Sequence, residues 1–235
     1  MNNLYTFGCS YTEGFNIEHT MAYRDYKNYR GEFPKSWPEI LSDSLKLNLI
    51  NCGRGSAGNQ EIFTTFCRNS KEFKKGDVII VEWSFMERYR FASGNGKDDW
   101  LRFGPGRVDT NVILQSTNDE ITVNRTLNPY KTEIYDFMTI MDRLSESVGF
   151  DLYYWTFIED FIYALPKDKL EDKKFLLCDK IKDKHHHVFR ILHDKGSETI
   201  EEETKGLVKD LHMGEKGHKL LAELFYEHII NFQKF

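Results

Sequence analysis

Short apolar runs alternate with amphipathic segments along this chain, and that alternation is typical of an α/β protein built on a mainly parallel sheet. The clearest strand prediction covers residues 77–83, whose β-branched apolar run is typical of a strand buried on both faces. Shorter runs predict strands at residues 4–7, 49–51 and 151–156. Apolar positions at helical spacing predict helices at residues 37–47, 61–73, 131–148 and 214–232.

Two stretches interrupt this pattern. Residues from about 85 to 130 are rich in Gly, Asn, Asp and scattered aromatics, and a connection this long predicts an insertion over one end of the sheet. Residues from about 166 to 206 are highly charged and predict a partly helical surface excursion. Because 235 residues suffice for one large core, we expect residues 1–235 to form a single domain.

The composition of the chain limits the classes of partner that we expect. A net charge of -5 and a pI near 5.9 disfavour a general nucleic-acid binder, and no run approaches the roughly 18 apolar residues of a membrane span, so neither partner is expected. The N-terminus lacks the basic and apolar regions of a signal peptide, which predicts a cytoplasmic protein, although a virion-associated protein would also lack one. The cysteines are scattered without a CxxC pair, which predicts reduced thiols, at Cys9, Cys52, Cys67 and Cys178.

Candidate chemistry lies at the two ends of the chain. Ser10 follows the first predicted strand, and Asp210 and His212 precede the last predicted helix. A serine needs an imidazole to become a nucleophile, and the imidazole needs a carboxylate to fix its tautomer. Since functional loops of a parallel sheet lie at the carboxyl ends of its strands, we expect Ser10 to meet the glycine-rich segment 51–59 and residues 83–84 at that edge.

Three blocks resemble those of the SGNH (GDSL-type) hydrolase superfamily. Residues 8–12, Gly-Cys-Ser-Tyr-Thr, are similar to its first block, Gly-Asp-Ser-x-Thr, with Cys9 in place of the aspartate. Residues 51–59 are similar to the second block, and residues 210–218, which begin Asp-Leu-His, to the fifth. The blocks occur in the family's order, and the Gly-Cys-Ser variant is similar to that of little-characterised phage and bacterial members. The central insertion and residues 157–206 have no counterpart in the family.

The resemblance implies a three-layer α/β/α sandwich of flavodoxin-like type with a mainly parallel central sheet. It implies that Ser10 is the nucleophile, His212 the general base and Asp210 the group that holds the imidazole. It further implies an oxyanion hole made by the backbone N–H groups of Ser10 and of Gly55 or Ser56. No metal or organic cofactor is expected.

The third block departs from the family. The expected Gly-x-Asn-Asp is replaced by Glu-Trp-Ser-Phe at residues 82–85, so the side-chain amide that would be the third oxyanion donor is missing. Asn59 or the Ser84 hydroxyl are the two candidates to replace it, and we favour Asn59 because a side-chain amide is the closer mimic. Trp83, Ser84 and Arg88 are the candidate lining of a substrate pocket, with Arg88 as a possible receptor for an anionic group or a partner in a structural salt bridge.

Plainer interpretations stay open for each feature. A serine at position 10 is also typical of a turn or a helix cap. The glycines of segment 51–59 are also typical of a tight turn or, more weakly, of a phosphate-binding loop. His185-His186-His187 suggests a metal site or a solvated loop. The aromatic residues 83–103 suggest a sugar-stacking wall or the core of the insertion.

The sequence as a whole predicts a serine hydrolase that cleaves an ester, most plausibly an O-acyl group such as acetyl on a carbohydrate or small molecule. Two alternatives remain. One is an acyltransferase that uses the same triad. The other is a non-catalytic binding or virion-associated protein that keeps the fold, which the missing third-block amide favours.

Overall fold

The computed structural model describes residues 1–15, 21–85, 88–92, 100–103, 127–158, 162, 165, 167–177, 180 and 188–232. Within these ranges, four parallel strands form one sheet in the order β2-β1-β3-β6. Their bounds are β1 Asn3–Phe7, β2 Asn48–Asn51, β3 Val78–Trp83 and β6 Asp151–Thr156. An antiparallel pair, β4 Tyr89–Ala92 and β5 Trp100–Phe103, lies inside the predicted insertion.

The helices follow the chain in the order α1 Ser10–Glu13, α2 Met21–Arg30, α3 Trp37–Leu45, α4 Asn59–Asn69, α5 Leu127–Val148, α6 Lys167–Leu170, α7 Val188–Asp194, α8 Ile200–Glu203 and α9 Glu215–Phe232. A 3₁₀ turn, Ser70–Glu72, follows α4. Among the described residues, no helix is both long enough and apolar enough to cross a membrane.

One face of the sheet is covered by α3 and α9. Trp155 of β6 lies between these two helices, with its ring centroid 5.7 Å from that of Trp37 and 5.3 Å from that of Phe225. Each of these aromatic side chains is almost completely buried. Aromatic groups of this size dominate the energetics of a core, so this cluster fixes α9, and the segment that leads into it, against the sheet.

The opposite face is covered by α4 and α5. Phe7 of β1 contacts Phe66 of α4 at a centroid distance of 5.6 Å, and the Tyr154 hydroxyl of β6 donates to the Met138 carbonyl oxygen of α5 at 3.2 Å. The predicted fold class is therefore confirmed as an α/β/α arrangement around a parallel sheet.

Several predicted boundaries were wrong. The helix predicted at 37–47 ends at Leu45, because Lys46 adopts the left-handed conformation at φ 56° and closes the helix. The helix predicted at 61–73 begins two residues earlier and gives way to the 3₁₀ turn after Asn69. Helix α2 was not predicted.

The charged stretch 166–206 was predicted to be a partly helical surface excursion, and the structure departs from that at residues 175–177. Phe175, Leu176 and Leu177 are completely buried, and the Leu176 N–H donates to the Tyr154 carbonyl oxygen at 2.7 Å. These residues extend the edge of the sheet beside β6. Their burial was masked in the sequence by the lysines and aspartates around them. His185-His186-His187 and Cys178 lie outside the described residues.

Candidate active site

The structure brings Ser10, His212 and Asp210 into one hydrogen-bonded chain. Ser10 is the first residue of α1, three positions after β1 ends at Phe7, and its Oγ lies 2.8 Å from His212 Nε2. The other ring nitrogen, Nδ1, lies 2.5 Å from Asp210 Oδ1, which also accepts the His212 backbone N–H at 2.8 Å. Because the carboxylate accepts at Nδ1, the neutral ring presents Nε2 as an acceptor toward the serine hydroxyl.

Asp210 is suited to remain ionised in this position. It is 9% exposed, and burial alone would raise its pKa. The hydrogen bonds from the His212 ring and backbone, together with the ring's charge, outweigh that effect and hold the Asp210 pKa below its ordinary value. A carboxylate that stays charged can both orient the imidazole and stabilise the imidazolium.

The segment that carries Asp210 and His212, residues 204–214, is tied to the start of α8. The Ile200 N–H donates to the His212 carbonyl oxygen and the Glu201 N–H to that of Asp210, both at 2.9 Å. The Gly214 N–H closes the segment on the Glu198 carbonyl oxygen at 2.9 Å. These bonds flank the imidazole on both sides and set the direction in which it points.

Arg30 of α2 fixes the ends of the same segment. Its guanidinium bridges Glu203, at the end of α8, and Glu215, at the start of α9. The Tyr26 hydroxyl also donates to Glu203 at 2.8 Å. The helix that sequence reasoning missed therefore stabilises the placement of the candidate base.

Aromatic rings pack against the imidazole. The His212 ring centroid lies 4.7 Å from that of Tyr11 and 5.9 Å from that of Tyr23. Tyr11 also packs on Phe157 at 4.1 Å and on Phe189 at 5.2 Å. The rings cover part of the imidazole, and the His212 side chain stays 29% exposed.

A cavity of about 300 Å³ adjoins the His212 segment. Leu211 and Met213, on either side of His212, form one wall, and Phe189 and Leu192 of α7 form another. The Leu211 side chain is 72% exposed, so an apolar group stands in solvent next to the candidate base.

A buried carboxylate lies beneath the Ser10 turn, residues 8–13. Glu82, near the end of β3, is completely buried and accepts from the Cys9 N–H at 3.1 Å, from the Cys9 thiol at 2.8 Å and from the Thr12 hydroxyl. A Cβ on Gly8 would lie 2.3 Å from Glu82 Oε2, so this close approach requires glycine there. Burial raises the pKa of Glu82 to about 7, although its hydrogen bonds from Cys9 and Thr12 act in the opposite direction.

The Cys9 thiol is not an alternative nucleophile. Burial, together with the charge of Glu82, raises the pKa of the thiol well above its ordinary value. The thiolate is the reactive form, so this cysteine stays protonated and acts as a hydrogen-bond donor.

The expected oxyanion donors differ in their placement. Because Ser10 begins α1, its backbone N–H has no acceptor within that helix. Ser56 is exposed and left-handed at φ 62°, in a turn on the segment that follows β2. The Gly55 N–H, in contrast, donates to Glu13 Oε2 at 2.7 Å. The expectation for Gly55 is corrected on this ground, because its hydrogen is already bound by a carboxylate.

The expectation for Asn59 is corrected as well. Its side-chain NH₂ donates to the Ser84 carbonyl oxygen at 3.1 Å and to that of Phe85 at 3.5 Å, and its side-chain oxygen accepts the Ser84 N–H at 2.7 Å. Asn59 is also 6% exposed. The amide therefore fixes the loop after β3 and has no donor left for an oxyanion.

The predicted pocket lining is mostly core. Trp83 and Ser84 are both completely buried, and Trp83 stacks on Tyr154 at 6.1 Å, so neither side chain reaches a substrate. Arg88 is half-buried, with its guanidinium 4.4 Å above the Phe85 ring and a hydrogen bond to Ser84 Oγ at 3.1 Å. The contact of Glu82 with the Ser10 turn was not predicted. A carboxylate within a wholly buried apolar strand was the signal that could have indicated it.

Comparison with known proteins finds matches among solved structures. No family model and no curated protein matches the sequence. A protein assigned to the lipolytic G-D-S-L family from Desulfitobacterium hafniense is 14% identical, with a TM-score of 0.49 over 97% of this chain and 99% of that one. Another from Veillonella parvula is 14% identical, with a TM-score of 0.37 over all of both chains. Protein YxiM from Bacillus subtilis is 12% identical, with a TM-score of 0.44 over 99% of this chain and 57% of that one.

Proposed function

We propose that this protein is a serine hydrolase that cleaves an ester through an acyl-enzyme. The observation that carries the proposal is the unbroken hydrogen-bond chain from Ser10 Oγ through His212 to the buried Asp210 carboxylate. A nucleophile within 2.8 Å of a base that is itself oriented by a carboxylate is the arrangement that activates a serine.

The reaction runs in two halves. His212 Nε2 takes the proton of the Ser10 hydroxyl as Oγ attacks the acyl carbonyl, and the imidazolium then gives that proton to the departing alcohol. Water, deprotonated by the same nitrogen, attacks the acyl carbon of the acyl-enzyme. The bond to Ser10 Oγ then breaks, the acid leaves, and the imidazolium returns the proton to Oγ. The backbone N–H groups of Ser10 and Ser56 stabilise the oxyanion, each donor contributing about 10²–10³ in rate. We propose O-acylated carbohydrates and similar small esters as the substrate class, and an acceptor alcohol in place of water would give the acyltransferase alternative.

The experiment is labelling with a fluorophosphonate, read by intact mass and peptide mapping. Ser10 is the expected site of modification, and Ser10→Ala and His212→Ala should each abolish it. Ser44→Ala is the matched control, because its side chain is exposed and lies on α3, away from the site. This control should label like the wild type.

The non-catalytic alternative has one observation in its favour, which is that the Asn59 amide is occupied and leaves two backbone donors for the oxyanion. Absence of labelling in a folded wild-type sample would support that alternative. Product analysis with added alcohols separates hydrolysis from acyl transfer, because only a transferase forms the new ester in preference to the free acid.

A further inference from the structure

The carboxylate beneath the Ser10 turn has no part in the two-step reaction described above. Glu82 is nevertheless the only acidic residue of β3, Val78–Trp83, and all of its neighbours in that strand are buried and apolar. Burying a carboxylate is costly unless its oxygens are hydrogen-bonded. Glu82 contacts the turn that carries the candidate nucleophile. We therefore expect this buried carboxylate to have a function in that turn.

The three donors to Glu82 bracket Ser10 in the chain. Cys9 precedes the serine and gives its backbone N–H and its thiol, while Thr12 lies one position beyond Tyr11 and gives its hydroxyl. Both oxygens of the carboxylate are engaged, so the turn is held from below at two points on either side of the nucleophile. The Ser10 Oγ is left to point toward His212.

The same contacts explain why a cysteine occupies position 9. An aspartate there would place a second carboxylate within hydrogen-bond distance of Glu82, and two carboxylates in one buried site repel each other strongly. A thiol is small, tolerates burial and donates a hydrogen bond to the carboxylate that is already present.

We propose that Glu82 is a positioning residue for the Ser10 nucleophile, which it serves by holding Cys9 and Thr12 so that the serine hydroxyl meets His212 Nε2. This inference rests on the proposed hydrolase function. Glu82 acts through the turn and does not itself touch the substrate.

The first test replaces Glu82 by glutamine, which keeps the shape and loses the charge and one acceptor. We expect the maximal rate of fluorophosphonate labelling to fall by about 10- to 100-fold, with the apparent affinity for the probe unchanged, because misplacement of a nucleophile slows the chemical step. Hydrogen exchange of the backbone amides in residues 8–13 should accelerate in the same variant.

The matched control is Asp77→Asn. Asp77 is also buried and accepts backbone N–H groups, from Asn3 at 2.8 Å and Lys74 at 2.9 Å, but it lies at the opposite end of β3. This variant should lose stability while it keeps the wild-type labelling rate and the wild-type exchange of residues 8–13. Equal loss of labelling in both variants would overturn the proposal in favour of a general effect on the fold.

Two further variants keep the proposal testable if Glu82→Gln does not fold. Thr12→Val removes one donor and should slow labelling, whereas Thr12→Ser keeps the hydroxyl and should restore it. Cys9→Asp should slow labelling through repulsion, and adding Glu82→Gln to it should recover part of the rate.

Labelling and exchange together separate the two proposals. If wild-type Ser10 is not labelled, the hydrolase function fails, and faster exchange of residues 8–13 in Glu82→Gln then shows that Glu82 holds the turn without positioning a nucleophile. If the wild type is labelled and Glu82→Gln matches it in both rate and exchange, the positioning role is refuted and the hydrolase function stands.

Discussion

Replacing Glu82 by glutamine is expected to change how the free energy of unfolding depends on pH. Glu82 is completely buried, and burial raises its pKa from 4.5 to about 7, with the hydrogen bonds from Cys9 and Thr12 and the charge of Arg88 acting against that rise. Between those two values the folded protein holds a proton at Glu82 that the unfolded chain has released. Stability therefore falls as the pH rises through this window, and the contribution is fully favourable only below the unfolded pKa.

The magnitude follows from linkage. Each pH unit within the window is worth about 1.4 kcal/mol, so the Glu82 contribution amounts to about 3 kcal/mol between pH 4.5 and 7.

His218 acts in the opposite direction, because burial and the charge of His212 lower its pKa from 6.5 to about 3. The buried ring in its neutral form accepts the backbone N–H of Trp37 at Nδ1, at 3.1 Å. Because the folded protein holds this ring neutral where the unfolded chain takes up a proton, stability is lost as the pH falls below 6.5. Between pH 4.5 and 6.5, Glu82 lowers and His218 raises the free energy of unfolding as the pH rises. In Glu82→Gln only the His218 contribution remains.

Urea unfolding followed by tryptophan fluorescence measures this difference, since Trp37, Trp83 and Trp155 are all buried. The wild type and Glu82→Gln are compared at steps from pH 4.5 to 7.5, and the quantity of interest is the change in their stability difference. It should shift in favour of the variant by about 3 kcal/mol over that range. Thr12→Val keeps the carboxylate but removes a hydrogen bond that lowers its pKa, so the loss of stability with rising pH should persist and extend to higher pH. A stability difference that stays constant with pH would refute the reasoning, because it would mean that Glu82 has the same pKa in the folded and unfolded chain.

Three further predictions concern the site and its support. Asp210→Asn should slow labelling of Ser10 by about 10³–10⁴, because an amide no longer fixes the imidazole tautomer, and kinetics of fluorophosphonate labelling measure this. Arg30→Met should lower the free energy of unfolding by about 1–2 kcal/mol, between the values for exposed and buried ion pairs, and should accelerate hydrogen exchange in residues 204–214. Gly53→Ala should destabilise the protein by about 1–3 kcal/mol in urea unfolding, because the new Cβ would lie 2.4 Å from the Glu13 backbone nitrogen; wild-type stability would contradict that contact.

Much of the fold could be predicted because strands β3 and β6 carry continuous apolar runs. Residues 151–156 were predicted with their observed bounds, and 77–83 to within one residue, since a strand covered on both faces leaves a continuous apolar run. Helix α2 was missed because its apolar residues, Tyr23 and Tyr26 among them, are interspersed with charges. The burial of Phe175–Leu177 was missed for a similar reason, since three residues in a charged setting are too few to form a recognisable period.

The three residues of the candidate triad could be predicted from the sequence. The hydrogen-bond partners of the expected oxyanion donors could not. Ser10, Asp210 and His212 were identified because each lies next to a predicted strand end or helix start. Gly55 was assigned to an oxyanion hole from the family resemblance, and Asn59 was assigned to it on residue type. The Gly55 N–H instead binds Glu13, and the Asn59 amide binds the loop after β3. Which acceptor a donor meets is decided by tertiary packing, and no spacing in the sequence encodes it.

The register of the sheet explains how the groups around Ser10 come together. Glu82 follows Val81 on β3, so the two side chains lie on opposite faces, and Glu82 shares its face with Trp155 of the neighbouring strand. Trp155 packs on Phe225 of α9, the helix into which the His212 segment runs. The carboxylate beneath the Ser10 turn and the imidazole that meets its hydroxyl therefore reach it from the same side of the sheet. A slip of one residue between β1 and β3 would move Glu82 to the other face and remove it from the turn, so strand pairing, rather than the spacing of the sequence blocks, determines this geometry.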